Sequence, residues 1–63
     1  MSRLIIQDST FKDDTITFNE KTGVFHSFNL GAGTTPSQET RVKIRKEDVS
    51  RLITMLRLYE GGN

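Results

Sequence analysis

The chain has 63 residues, with nine lysines and arginines, eight aspartates and glutamates and a net charge of +1 at pH 7. A chain of about 60 residues buries only about 60% of its unfolded surface, so we expect one small domain, residues 1–63, with a marginal core. The sequence has no cysteine and one histidine, His26, which excludes disulfides, thiolate metal sites and a cysteine nucleophile.

Three short β-strands are predicted in the first half of the chain: Arg3–Gln7, Thr15–Asn19 and Val24–Leu30. They are rich in β-branched and aromatic residues, and the second alternates strictly between polar and apolar side chains. Aspartates in the first connection are typical turn formers. Gly23 in the second connection can take the positive φ that a tight hairpin needs.

A polar loop of small residues, Gly31 to Glu39, is followed by a predicted fourth strand from Thr40 to Arg45. From Lys46 the apolar residues recur at helical spacing, and two glycines at 61 and 62 end the helix. The predicted fold class is α+β: a four-stranded antiparallel sheet followed by one C-terminal helix, β-β-β-β-α. We expect the helix to cover one face of the sheet, over Ile16, Phe18, Val42 and Ile44.

Two features predict a homodimer that forms through this helix. A domain of this size without disulfides or a metal site usually needs a partner subunit. The apolar surface of the helix is also wider than the stripe that packs on a single sheet, so a second helix is a natural partner. The residues predicted at the dimer interface are Leu52, Met55, Leu56 and Tyr59.

The sequence shows no arrangement typical of an enzyme. His26 could act as a general base, but no serine or acid is placed by sequence to complete a relay. The Gly-Ala-Gly at 31–33 lacks the following Gly-Lys-Ser/Thr of a phosphate-binding loop, and Asp13 and Asp14 are better explained as turn formers. We therefore predict a protein that is not an enzyme and that uses no cofactor and no metal.

The sequence also bears on the compartment. The apolar run near the N-terminus is too short for the core of a signal peptide, and no stretch approaches the ~20 apolar residues of a membrane span. The absence of cysteines gives no reason to expect an oxidising compartment. We expect a cytoplasmic protein with no membrane partner.

Basic charge is concentrated in the C-terminal third, where residues 41–57 carry six basic and two acidic residues. On a strand, Arg41, Lys43 and Arg45 would project from one face about 7 Å apart, which approximates the phosphate repeat of a nucleic-acid single strand. Phe25 is predicted on the same open face, where its ring would stack on bases. The alternative is an ordinary amphipathic strand whose outer face is only solvated and binds no ligand. The residues predicted to contact nucleic acid are Arg41, Lys43, Arg45 and Phe25, with Lys12 and Lys21 near turns extending the path.

The hairpin "TITFNEKTGVFHSF", the polar loop after it and the junction "VKIRKEDVSRL" resemble the positive cofactor four family of transcriptional coactivators, which bind single-stranded DNA. The similarity covers about Thr15 to Leu56. It implies a curved four-stranded sheet followed by one helix, two copies that dimerise through the helices, and sheets that form channels for single strands.

The chain departs from that family at several positions. The usual Lys-Gly-Ile-Ser-Leu type strand is Arg41-Val42-Lys43-Ile44 here, and the helical tryptophan corresponds to Val49. The basic N-terminal strand of the family is replaced by "RLIIQD", which weakens the DNA contacts expected there. Small phage-like or plasmid-like single-strand binders are the nearest resemblance.

Two functions remain open from the sequence. The first is a module that binds single-stranded DNA or RNA with low sequence specificity, in transcription, replication or recombination. The second is a small, phage-like adaptor or inhibitor that docks on a protein by a sheet edge or by the apolar helix surface near Met55 and Leu58. A ribbon-helix-helix protein is disfavoured, because "YEGGN" leaves no room for a second helix.

Overall fold

A computed structural model describes residues 3–62, which form four β-strands and one α-helix. Met1, Ser2 and Asn63, which the predicted domain includes, lie outside the described residues. The predicted order β-β-β-β-α is confirmed. The elements are β1 Arg3–Gln7, β2 Thr15–Asn19, β3 Val24–Asn29, β4 Gln38–Lys43 and α1 Lys46–Glu60.

The strands form one antiparallel sheet in the order β1-β2-β3-β4, and the turns between them are held by local hydrogen bonds. In the first connection the Asp8 carboxylate accepts the backbone N–H groups of Thr10 and Phe11, at 2.8 and 2.9 Å. These two bonds, that of Phe11 first, lower the pKa of Asp8 because they stabilise the ionised carboxylate. In the second connection Gly23 has a φ of 73° and donates its N–H to the carbonyl of Asn19 at 2.8 Å, as the hairpin pattern predicts.

β4 begins and ends two residues earlier than the predicted strand. Gln38 pairs with Asn29 of β3, so the strand starts inside the predicted loop. Gln38 and Glu39 are both polar, and the apolar alternation that marks a strand is therefore missing there. At the other end Ile44 still donates its N–H to the carbonyl of Gly23 at 2.9 Å, but Arg45 is already the N-cap of α1.

α1 does not cover the sheet, and the prediction that it lies over Ile16, Phe18, Val42 and Ile44 is wrong. None of residues 3–62 is buried, and Ile16 and Val42 remain 43% and 58% exposed. The start of the helix meets the sheet at an open cleft, and Leu52 is the farthest helix residue lining it. Residues beyond Leu52 extend away from the apolar side chains that the helix was expected to cover.

The β4–α1 junction explains why the helix leaves the sheet. The two residues that link these elements, Ile44 and Arg45, are both fixed by hydrogen bonds. Arg45 is extended, with φ −78° and ψ 142°, and its Nε donates to Oδ2 of Asp48 at 2.8 Å. Arg51 donates to the other oxygen of Asp48 at 3.1 Å. The Asp48 contacts stabilise the first turns of the helix, and the two-residue link, held to the sheet by the Ile44–Gly23 bond, leaves the helix little freedom to turn back.

Gly31, at the start of the β3–β4 loop, is a position with no room for a side chain. A Cβ there would lie 1.8 Å from the carbonyl oxygen of Thr35 and 2.6 Å from the carbonyl carbon of Pro36. Gly31→Ala therefore forces the loop to rearrange, and we expect a loss of about 1–3 kcal/mol in the free energy of unfolding. Urea denaturation followed by circular dichroism measures this loss.

Gly33→Ala is the matched control in the same loop. Gly33 has a φ of 61°, but a Cβ there would meet nothing within 4 Å. The only cost is then the backbone strain of a left-handed alanine, about 1 kcal/mol. Equal losses in the two variants would show that the close approach at Gly31 has no energetic consequence.

Candidate nucleic-acid interface

The register of the sheet divides its side chains into two faces of different character. Residues that pair across antiparallel strands point to the same side, and neighbours along a strand point to opposite sides. The apolar face consists of Leu4, Ile6, Ile16, Phe18, Phe25, Ser27, Thr40 and Val42, with the polar pair Asn29 and Gln38 at one end. The polar face consists of Arg3, Ile5, Gln7, Thr15, Thr17, Asn19, Val24, His26, Phe28, Glu39, Arg41 and Lys43.

All the charged side chains of the four strands lie on the polar face. Arg3 belongs to one outer strand, β1, whereas Arg41 and Lys43 belong to the other, β4. Three inter-strand spacings separate these strands, or about 14 Å. Arg3 and Arg41 line the two sides of the groove between these strands, and the residues lining it between them are Thr17, Asn19, Thr22, Val24 and His26.

Glu39 is the one acidic residue on the polar face, and its carboxylate lies between the His26 ring and the Arg41 guanidinium. Its Oε2 is 3.3 Å from Nε2 of His26, and its Oε1 is 3.8 Å from a guanidinium nitrogen of Arg41. The Arg41 and Glu39 side chains are 66% and 53% exposed. Exposed ion pairs contribute at most about 1 kcal/mol, so the Arg41 guanidinium is free to exchange this carboxylate for a phosphate.

The basic residues predicted on one strand face are only partly brought together. Arg41 and Lys43 share the polar face, as the alternation predicts. Arg45 does not extend their row, because it lies beyond the end of β4 and its guanidinium is bonded to Asp48. Its second contact, 4.0 Å to the Glu47 carboxylate, also ties it to the start of the helix.

The placement of Phe25 beside the basic residues is wrong. Phe25 pairs with Val42 and with Phe18, so it lies on the apolar face. Its ring centroid is 4.6 Å from that of Phe18, and the ring planes are inclined at 43°. The aromatic ring of β3 that shares the polar face is Phe28, which is half-buried opposite Glu39.

The two turn lysines lie at opposite ends of the sheet. Lys21 is in the β2–β3 turn, at the end where Arg3 and Lys43 lie, and it extends the basic surface there. Lys12 is in the β1–β2 connection at the far end, next to Phe11, whose side chain is 65% exposed. Only Lys21 is therefore close to the cationic end of the polar face.

Sequence reasoning missed the contributions of Arg3 and Phe28 and gave His26 no binding role. Arg3 and Gln7 alternate with Leu4 and Ile6, which hints at a polar side, but Ile5 interrupts that pattern. Only the register, which aligns Arg3 with Lys43 through the two central strands, joins the N-terminal arginine to the basic strand.

The residues predicted at a dimer interface are exposed in the single chain, apart from the half-buried Leu52. Met55, Leu56 and Tyr59 are 64%, 56% and 84% exposed. At 3.6 residues per turn Met55 lies at the margin of the apolar side of α1. Leu58, 56% exposed, lies on the opposite side of α1. The other apolar residues form one line, which we call the helix stripe: Val49, Leu52, Ile53, Leu56 and Tyr59.

Comparisons with models of protein families, with curated proteins and with solved structures give no match to this chain. In the part of the chain that the structure describes, the helix is neither long nor apolar enough to cross a membrane. The fold and its two faces define a small β4α protein with one charged and one apolar sheet surface. What the polar face can bind follows from its own side chains: separated cations, hydrogen-bonding groups and one aromatic ring.

Proposed function

We propose that the protein binds nucleic acid through the polar face, prefers single strands and reads little sequence. The placement of Arg3 on one outer strand and of Arg41 and Lys43 on the other supports this proposal. Cations at both edges attract a phosphate backbone, which is the main source of affinity in non-specific binding. The face carries one carboxylate against these three cations, so its net charge is favourable for a polyanion.

The shape of the face favours single strands over duplexes. The major groove of a duplex is read by an element that enters it, such as a helix or a two-stranded ribbon, and the polar face is the open side of a sheet. A single strand can instead lie on the surface and turn its bases toward it. The Asn19 amide, the His26 ring and the Phe28 ring are then available for hydrogen bonding and stacking, and each stacked base contributes about 1–3 kcal/mol.

This function is one of binding and not of catalysis. It would serve transcription, replication or recombination, and we infer that the protein acts in the cytoplasm. The resemblance to the positive cofactor four family remains a prediction. It makes single-stranded DNA the first ligand to test, with single-stranded RNA of the same sequence as the second.

A salt-dependent titration tests the proposal directly. Single-stranded and duplex oligonucleotides of the same sequence, labelled with fluorescein, are titrated with the protein, and anisotropy is recorded at several salt concentrations. Three phosphate contacts on a single strand predict a slope of about −2 in a plot of log affinity against log salt, or about 20-fold weaker binding at 200 mM than at 50 mM.

We expect the single strand to bind more tightly than the duplex, and oligonucleotides of different sequence to bind with similar affinities. Affinity that does not change with salt would contradict a phosphate-binding face. The absence of binding at 50 mM salt would overturn the proposal altogether. A preference for RNA over DNA would leave the face in place and identify the 2′-hydroxyl as a contact.

The exposed outer edge of β1 favours a second candidate, a protein-binding adaptor. Leu4, Ile5 and Ile6 are 57%, 61% and 50% exposed, and an unpaired strand edge can add a strand from another chain. Binding of that kind needs no cations. It would therefore survive nuclease treatment and high salt, whereas the nucleic-acid complex would not.

A further inference from the structure

The chain exposes far more surface than a compact monomer of its mass. Its accessible surface is 5831 Å², whereas a folded monomer of 7.2 kDa is expected to expose about 4,100 Å². Its radius of gyration is 13.7 Å, against about 10.6 Å for a compact domain of this length. The excess of about 1,700 Å² lies within the range of about 1,000–2,500 Å² per subunit that obligate dimers bury.

Two separate apolar surfaces account for this exposure. One is the apolar face of the sheet, and the other is the helix stripe. Neither includes a titratable side chain other than the Tyr59 phenol at the far end of the stripe. Contact between two such surfaces buries no ion, so it avoids the desolvation cost that charged groups impose.

The two surfaces also match in size. The 15 residues of α1 span about 22 Å at 1.5 Å per residue. The face of a four-stranded sheet is about 14 Å wide, and its strands of five or six residues are about 16–20 Å long. One helix laid across such a face covers most of it.

The chain cannot make this contact within itself while the junction keeps its geometry. Ile44 is bonded to Gly23 of the β2–β3 turn, and Arg45 is bonded to Asp48 of the first helical turn. A helix that folded back onto its own sheet would have to change the backbone of this two-residue link, where the Ile44 N–H is bonded to the Gly23 carbonyl. The helix stripe therefore needs a surface on another molecule.

We propose that a second copy of this chain covers the apolar face, with the helix stripe of each protomer lying across the apolar face of its partner. This arrangement buries both apolar surfaces of both copies at once. A contact between helices alone would leave the two apolar faces in water. In the exchanged dimer the polar faces lie on the outside, so the assembly does not depend on what they bind.

The mass of the protein in solution is the first test. Sedimentation equilibrium should give twice the 7.2 kDa chain mass. Because dimerisation and folding are linked, the midpoint of thermal unfolding should rise with protein concentration. A 7.2 kDa species whose thermal midpoint is independent of concentration overturns the proposal.

Matched substitutions identify the two surfaces. Leu56→Glu on the helix stripe and Ile16→Glu on the apolar face should each weaken the dimer at least about 100-fold, since each buries a charge at the contact. Thr54→Glu, on the opposite side of the helix, and Thr17→Glu, on the polar face, should leave the mass unchanged. Leu56 is 56% exposed and Ile16 43% exposed in the single chain, so both variants would stay folded if the protein were a monomer. A dimer that both glutamates leave intact contradicts the proposal.

Cross-linking distinguishes exchange from a contact between helices alone. The chain has no cysteine, so copies with Leu56→Cys can be mixed with copies with Ile16→Cys and treated with a short bis-maleimide. Exchange predicts a cross-link between the two different copies. Cross-links formed only between two copies with Leu56→Cys would show a helix–helix dimer and would rule out the exchanged arrangement.

Discussion

Reversing the charge of Arg41 and Lys43 together, to glutamate, is expected to lower the affinity for single-stranded oligonucleotides by about 100-fold or more. The change removes two of the three cations on the polar face and places three carboxylates there. The slope of log affinity against log salt should become shallower, from about −2 to about −0.7, because only Arg3 remains to displace counterions. Both residues are exposed on an outer strand, so circular dichroism and thermal unfolding should change little.

The control carries the same change in net charge at a different place. Lys46→Glu with Arg57→Glu alters two exposed residues of α1 that flank the helix stripe without belonging to it and that do not lie on the polar face of the sheet. Long-range attraction between the protein and the oligonucleotide changes equally in the two double variants. Only contact with the polar face distinguishes them. Equal losses of affinity in both would mean that binding depends on net charge and not on this face.

The strands were predictable because their side chains alternate, whereas the pairing of residues between neighbouring strands was not. The bounds of β1 and β2 agree with the prediction, and β3 ends one residue early. Alternation along β3 correctly separates His26 and Phe28 from Phe25. It does not say which set meets the basic side chains, because both sets contain an aromatic ring. The pairing of Phe25 with Val42 decides this, and pairing is a contact between residues distant in sequence.

The helix illustrates a second limit of sequence reasoning. Periodicity shows that α1 has an apolar side, and the predicted start at Lys46 is confirmed. An apolar side requires a partner surface, but its period is the same whether that surface belongs to the same chain or to another copy. The assumption of a partner within the chain led to the wrong expectation that Val42 is covered. The connection through Ile44 and Arg45 is too short for the helix to turn back easily over the sheet. The sequence does not show this, because it depends on where β4 ends and on the hydrogen bond that holds Ile44.

Phe18→Ala is expected to remove about 3 kcal/mol or more from the free energy of unfolding, in the range of phenylalanine truncations in a core. Phe18 is half-buried on a central strand, between Leu4 and Phe25 of the neighbouring strands. Its ring lies 4.6 Å from the Phe25 ring, and an aromatic pair contributes about 0.5–1.5 kcal/mol beyond the area it buries. Urea denaturation followed by circular dichroism measures the loss.

Phe11→Ala is the control, since it makes the same chemical change at a ring that is 65% exposed in the β1–β2 connection. Its cost should stay within about 0.5 kcal/mol.

The dependence on protein concentration then separates the two sources of the Phe18 effect. Loss of contacts within one chain lowers the denaturation midpoint by the same amount at every concentration. Loss of contact with a partner helix makes the deficit largest at high protein concentration and smaller on dilution, because the unsubstituted protein then loses its partner as well. Because no side chain among residues 3–62 is fully buried in the single chain, a loss near 3 kcal/mol requires the second source. A loss below about 1 kcal/mol at all concentrations would instead show that the apolar face stays in water.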